Sequence, residues 1–148
     1  MKSLYHIILL LGFVMLSSCH LESRRENAKG MNMLLQSDYI GAAATFGAIC
    51  QTDPTWHPAF YNRGVAMARC GKYEEALKDF NFVLNAHPDH ADSYFNRAII
   101  YENLKDYSNA IKDYTQAIAL QPNYLMAYHY RGMVRFKAED MYGALSDF

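Results

Sequence analysis

The chain of 148 residues is short of several things that other protein classes need. Its apolar run, Ile7 to Leu16, is ten residues long, about half the ~20 that a membrane-spanning helix requires. Charge of neither sign dominates: 14 basic residues stand against 15 acidic ones. No basic stripe is present for a phosphate backbone, so nucleic acid is not an expected partner. Cysteine is limited to Cys19, Cys50 and Cys70, and no Cys-x-x-Cys pair exists for zinc or redox work. Gly-x-Ser-x-Gly, His-Glu-x-x-His and a phosphate-cradling glycine loop are all missing. These absences argue against an enzyme, and no catalytic residue, cofactor or metal site is expected.

Proline is also scarce, with four in the chain, yet three of them keep an interval. Pro54, Pro88 and Pro122 stand 34 residues apart. Small residues hold the same interval at Gly30, Gly64, Ala98 and Gly132, and at Ala42, Ala76, Ala110 and Ala144. Aromatic residues hold it at Phe60, Tyr94 and Tyr128, at Tyr39, Tyr73 and Tyr107, and at Phe46, Phe80, Tyr114 and Phe148. A fixed period of this length signals stacked supersecondary units.

Each unit reads as two helices. In the unit 57–90 the first helix is expected from Pro58 to Cys70, with Gly71 supplying a left-handed end. The second is expected from Tyr73 to Ala86, stopping before Pro88 because a residue preceding proline avoids the α region. Phe60, Gly64 and Met67 share one face of the first helix; Ala76, Phe80 and Val83 share one face of the second. The small residues let the two backbones approach while the aromatics fill the flanks. Arginine recurs at Arg63, Arg97 and Arg131, and aspartate at Asp79, Asp113 and Asp147, whereas the first unit has Lys29 and Thr45 in those places. Arg–Asp pairs are therefore expected between the helices of a repeat or between adjacent repeats.

The pattern Phe60-Tyr61-Asn62-Arg63-Gly64, Gly71-Lys72-Tyr73-x-x-Ala76, Phe80 and Pro88 resembles the tetratricopeptide repeat. Tyr94-Phe95-Asn96-Arg97-Ala98, Tyr107, Ala110, Tyr114 and Pro122 repeat it, and the first unit diverges with Glu26 at an aromatic position. The resemblance implies an all-α, right-handed superhelix, an α-solenoid of helix-turn-helix units. These units are 23–56, 57–90, 91–124 and a truncated 125–148. Because Phe148 falls midway along a second helix, the chain reads as part of a longer protein.

The start of the chain resembles a bacterial lipoprotein signal: Lys2, the apolar run, then Leu16-Ser17-Ser18-Cys19. The resemblance implies removal of residues 1–18, a diacylglycerol thioether on Cys19, and a short linker over 19–22. The protein would then be held by several acyl chains in the bacterial envelope, at the outer membrane facing the periplasm. Cys50 and Cys70 lie near the ends of two antiparallel helices, about a helix length apart, and are expected to be buried free thiols.

The resemblance further implies that the first helices line a concave surface where peptides bind. The stripe beside the core face comprises Asn27, Met31, Leu34 and Leu35; Tyr61, Val65 and Arg69; Phe95, Ile99 and Asn103; and His129, Met133, Phe136 and Lys137. For Tyr61 and Phe95 the competing role is packing between neighbouring first helices. Replacing Phe95 and Phe136 by Ser is expected to abolish capture without unfolding the domain. The expected function is a membrane-anchored scaffold for a protein or peptide partner. The alternatives are a glycan-binding uptake lipoprotein and the docking module of a longer enzyme. His57, His87 and His90 surround an inter-repeat turn, where Pro88 and Asp89 are expected for turn reasons rather than metal binding.

Overall fold

The computed structural model describes residues 20–148; the expected signal segment and Cys19 lie outside the described residues. Among the described residues there are eight helices and no strand. They are α1 (20–35), α2 (Tyr39–Thr52), α3 (His57–Arg69), α4 (Tyr73–Ala86), α5 (Ala91–Asn103), α6 (Tyr107–Leu120), α7 (Leu125–Lys137) and α8 (Met141–Asp147). From α2 onward each helix packs on its neighbours in sequence, and α3 also touches α5. That is the layout of an α-solenoid, in which no unit closes a core alone.

Two kinds of turn produce this layout. Within each hairpin, Ser37, Gly71, Lys105 and Glu139 hold φ values of 61°, 74°, 61° and 64°. The next residue then donates its N–H back across the turn: Asp38 to Met33, Lys72 to Met67, Asp106 to Tyr101 and Asp140 to Arg135, at 2.8–2.9 Å. This pairing satisfies carbonyls orphaned at the helix end. Only Gly71 adopts it without Cβ strain, because the left-handed region crowds the side chain of an L-residue. Between hairpins, Asp53, His87 and Gln121 precede the periodic prolines, with φ/ψ of −135°/77°, −131°/77° and −132°/88°. A pre-proline residue is pushed out of the α region, so every second helix stops at the same place.

Packing follows the 34-residue period. Phe46, Phe80 and Tyr114 are fully buried. A Cβ added to Gly64 would lie 3.1 Å from the Phe80 ring, and one on Gly30 2.6 Å from that of Phe46. The small residues are thus clearance for the aromatic of the partner helix. Helix α4 has the expected bounds. Helix α3 runs one residue earlier than expected at both ends, and Cys70 becomes its cap. Cys50 is buried, and burial pushes its thiol up to about 11. Cys70 is half-buried rather than buried, because its cap position lies at the edge of a cleft.

The recurring charges lock the last three hairpins. Arg63 donates from Nε and Nη2 to Asp79 at 2.8 and 2.6 Å, Arg97 to Asp113 at 2.6 and 2.8 Å, and Arg131 to Asp147 at 2.9 and 2.5 Å. The fork geometry uses a planar guanidinium, which lysine lacks. Hydrogen bonding to the aspartates holds the Arg63 and Arg97 guanidiniums above the ordinary arginine range. A further donor ties adjacent repeats: Arg97 Nη1 reaches Asn81 at 2.5 Å and Arg131 Nη1 reaches Thr115 at 3.0 Å. Each arginine also lies over the aromatic three residues earlier, 5.3–5.5 Å from the ring centres of Phe60, Tyr94 and Tyr128.

Candidate functional site

First helices of neighbouring repeats meet through pairs of residues 35 apart. Asn62 donates to Asn27 at 2.8 Å, and Asn96 donates to the Tyr61 hydroxyl at 3.0 Å. Phe95 meets Tyr130 edge-on at 5.5 Å, and Lys137 pairs with Glu102 at 2.6 Å. This ladder sets the spacing of the surface that the first helices present.

Between α3, α5 and α7 the ladder leaves a cleft of about 240 Å³. Val65, Arg69, Ile99 and Asn103, all expected in the groove stripe, line it together. Tyr73, Asn96 and Tyr130 line it as well. The stripe counted along single helices could not include these three. Tyr73 opens a second helix, and Asn96 and Tyr130 are one residue beyond the stripe positions Phe95 and His129. The 35-residue ladder was the available signal, since it offsets contacts by one residue per repeat.

The chemistry of this cleft is mixed. Val65 and Ile99 supply aliphatic surface, and Tyr73 and Tyr130 supply rings. Arg69 supplies an exposed cation. Asn103 donates its amide N–H to the Ile99 carbonyl at 2.8 Å, which fixes the side chain on the helix. Tyr61 is half-buried between the Phe80 and His90 rings, at 5.9 and 5.1 Å. Burial, reinforced by the Asp92 carboxylate, pushes its phenol up to about 12, so it presents a neutral hydroxyl.

Other stripe residues fall elsewhere. Phe95 is a core side chain: only 7% exposed, it packs against Tyr114, Tyr124 and Tyr130. Replacing it by Ser therefore removes core packing, which corrects the expectation that the domain would stay folded. Met31 and Leu35 are exposed on α1, and His129, Met133 and Phe136 are exposed on α7, none of them in the cleft. His57 and His87 meet edge-on at 4.7 Å, while His90 caps α5 by accepting from the Ser93 N–H. Among the described residues no cluster of three His, Cys, Asp or Glu is placed to hold a metal ion.

With this geometry in view, comparison with known proteins is informative about class. The tetratricopeptide repeat family profile matches residues 91–124, the α5–α6 hairpin. No curated protein sequence matches the chain. Among solved structures, the chain is similar to MamA (41-end) from Desulfovibrio magneticus RS-1, with a TM-score of 0.80 and 21% identity, over 85% of this chain and 71% of that one. The first tetratricopeptide domain of Spaghetti (RPAP3), bound to the HSP90 peptide SRMEEVD, gives a TM-score of 0.76 and 22% identity, over 79% and 93%. A tetratricopeptide repeat protein from Parabacteroides merdae ATCC 43184 gives 0.74 and 23%, over 84% of this chain and 50% of that one. At such identities the likeness is one of fold. The described residues therefore have the all-α, helical-hairpin solenoid fold of the tetratricopeptide-repeat structures.

Proposed function

We propose that the protein is a scaffold that holds a segment of a partner polypeptide along its first helices, with Val65, Arg69, Ile99, Asn103 and Tyr130 as the central contacts. One observation carries this reading: side chains from three successive first helices converge on one cleft with apolar walls, a cation and amides. Such a surface suits an extended or helical segment with an apolar anchor and an acceptor for Arg69. The ordering cost of a flexible segment makes micromolar affinity the expectation. The peptide bound by the structurally similar Spaghetti domain agrees in kind with this reading.

The test places photo-crosslinking residues at Val65 and Ile99 in the native envelope, identifies the attached segment, and then titrates it as a synthetic peptide. Val65→Asp with Ile99→Asp is expected to weaken that binding at least about ten-fold without changing helix content. Unchanged affinity would assign the partner to another surface.

We further propose that the scaffold is attached to a bacterial envelope membrane through lipid on Cys19, with the solenoid close to the surface. The support is the sequence Leu16-Ser17-Ser18-Cys19 after a short apolar run. Growth with a labelled fatty acid is expected to mark the protein, and Cys19→Ala to abolish the mark. Label retained by the variant rules the anchor out.

A further inference from the structure

The later repeats are an internal reference for what the fold requires, and the first junction departs from it. Positions 43, 77 and 111 are equivalent on successive second helices. Leu77 and Ile111 are half-buried against the cores of the later junctions, whereas position 43 is Ala43, a buried methyl. On the same face, Ile40 and Ala44 replace the Glu74 and Lys78 of the second unit and the Ser108 and Lys112 of the third. Across the junction, Met67 replaces Tyr101.

The result is an aliphatic cleft of about 400 Å³ lined by Ile40, Ala43, Ala44, Met67, Cys70 and Lys72. Three other clefts measure about 240, 290 and 200 Å³. They fall below the roughly 300–1,000 Å³ usual for small-molecule sites, while this one falls within it.

Lys72 is a second departure at the same place. Asp38, Asp106 and Asp140 hold the equivalent position and cap α2, α6 and α8 with a carboxylate. Lys72 leaves α4 without a side-chain cap and sets an exposed ammonium beside the cleft. Folding explains neither the missing bulk nor the missing cap, and local departures from a fold's own pattern concentrate at functional sites.

We propose that this cleft is a second binding site, for a linear aliphatic carboxylate such as a medium-chain fatty acid. The alkyl chain lies against Ile40, Ala43, Ala44 and Met67, and the carboxylate pairs with Lys72. The lining contains no aromatic ring and no carboxylate, which suits a flexible alkyl chain and an anionic head. The site is separate from the partner groove. Met67 is two residues from both Val65 and Arg69, about 200° around α3, so both surfaces can be filled together.

The test is calorimetric titration of the purified chain with laurate below its micellar concentration, beside the rate of Cys70 alkylation by N-ethylmaleimide. Saturable binding at one site is expected, with Cys70 protected. Ala43→Leu restores the residue type of the later repeats, and Ile40→Glu restores that of Glu74. Each is expected to weaken laurate binding about ten-fold or more. Because Ile40 is exposed, its variant tests the site even if Ala43→Leu disturbs packing. Lys72→Gln is expected to weaken laurate about two- to five-fold and leave dodecanol unchanged, since an exposed ion pair contributes little. No saturable binding overturns the proposal, as does full affinity in Ile40→Glu. Protection of Cys70 by a leucine-bearing peptide but not by laurate replaces the lipid with a polypeptide occupant.

Discussion

The two ends of the solenoid use the same repeat differently. In the first unit, Phe46 is fully buried, yet the charged lock is missing: Lys29 makes a loose 3.6 Å pair with Glu26, and Thr45 contacts the Met33 sulfur at 3.4 Å. In the last unit the lock is at its fullest. Arg131 and Arg135 both reach Asp147, whose side chain is 2% exposed, yet Phe148 is 66% exposed. The equivalent aromatics Phe46, Phe80 and Tyr114 are each followed by a first helix that covers them. Two separable devices therefore hold a repeat. The ion pair joins its own two helices, whereas Phe80 and Tyr114 also pack against the first helix of the following unit.

The sharpest way to break this comparison is to truncate the aromatics. Phe80→Ala is expected to lower stability by about 3–5 kcal/mol, the usual range for a buried ring. In a chain of these 148 residues, where its ring is exposed, Phe148→Ala is expected to cost no more than about 1 kcal/mol. Urea denaturation of both variants measures the gap; equal losses would show that burial by the following unit is not the cause.

The lock is tested next. Arg97→Ala strands Asp113, which is buried, and is expected to cost about 3 kcal/mol. The joint change of Arg97→Met and Asp113→Leu recovers most of that loss, because it removes the uncompensated charge. Lys29→Ala, in the unit that lacks the lock, stays within about 0.5 kcal/mol.

Alkali probes the middle of the molecule. The Tyr61 phenol titrates near its ordinary 10.0 when unfolded and at about 12 when folded, because burial disfavours the phenolate. Between these values the folded chain keeps a proton that the unfolded chain has lost, so raising the pH favours unfolding. The stability is present below pH 10 and lost through pH 12. Burial raises Tyr114 and Tyr124 in the same direction. The urea midpoint is expected to fall across this window, and Tyr61→Phe to reduce the slope. A slope unchanged in that variant would remove Tyr61 from the account.

The smallest effect concerns the turns. Lys105→Gly relieves a left-handed lysine and is expected to gain about 0.5–1 kcal/mol net of the added chain entropy. Gly71→Ala, at the equivalent turn, is expected to lose a similar amount. The two thermal midpoints should move in opposite directions.

Much of this was legible in one dimension. The bounds of α4 follow from Gly71 and Pro88, and the Arg–Asp pairs follow from their joint absence in the first unit. The cleft was legible only in part: Val65, Arg69, Ile99 and Asn103 of the expected stripe line it together, whereas Phe95, for which the sequence left stripe and packing roles open, lies in the core. Single-helix spacing gives the face on which a residue lies, but not how far the neighbouring helix rotates over it. Here the 35-residue offset between first helices turns Phe95 onto Tyr130 and brings Asn96 to Tyr61.

By itself, then, the sequence determined the period, the helix ends to within a residue, and the charged locks, because each depends on chemistry local to one hairpin or to the turn that follows it: proline sterics, a left-handed turn and a guanidinium fork. Tertiary structure alone decided which aromatics are core and which residues share a cleft. It also decided that the alanines of α2 open a space beside Lys72. These depend on how one repeat is set against the next, and that angle comes from packing many side chains at once.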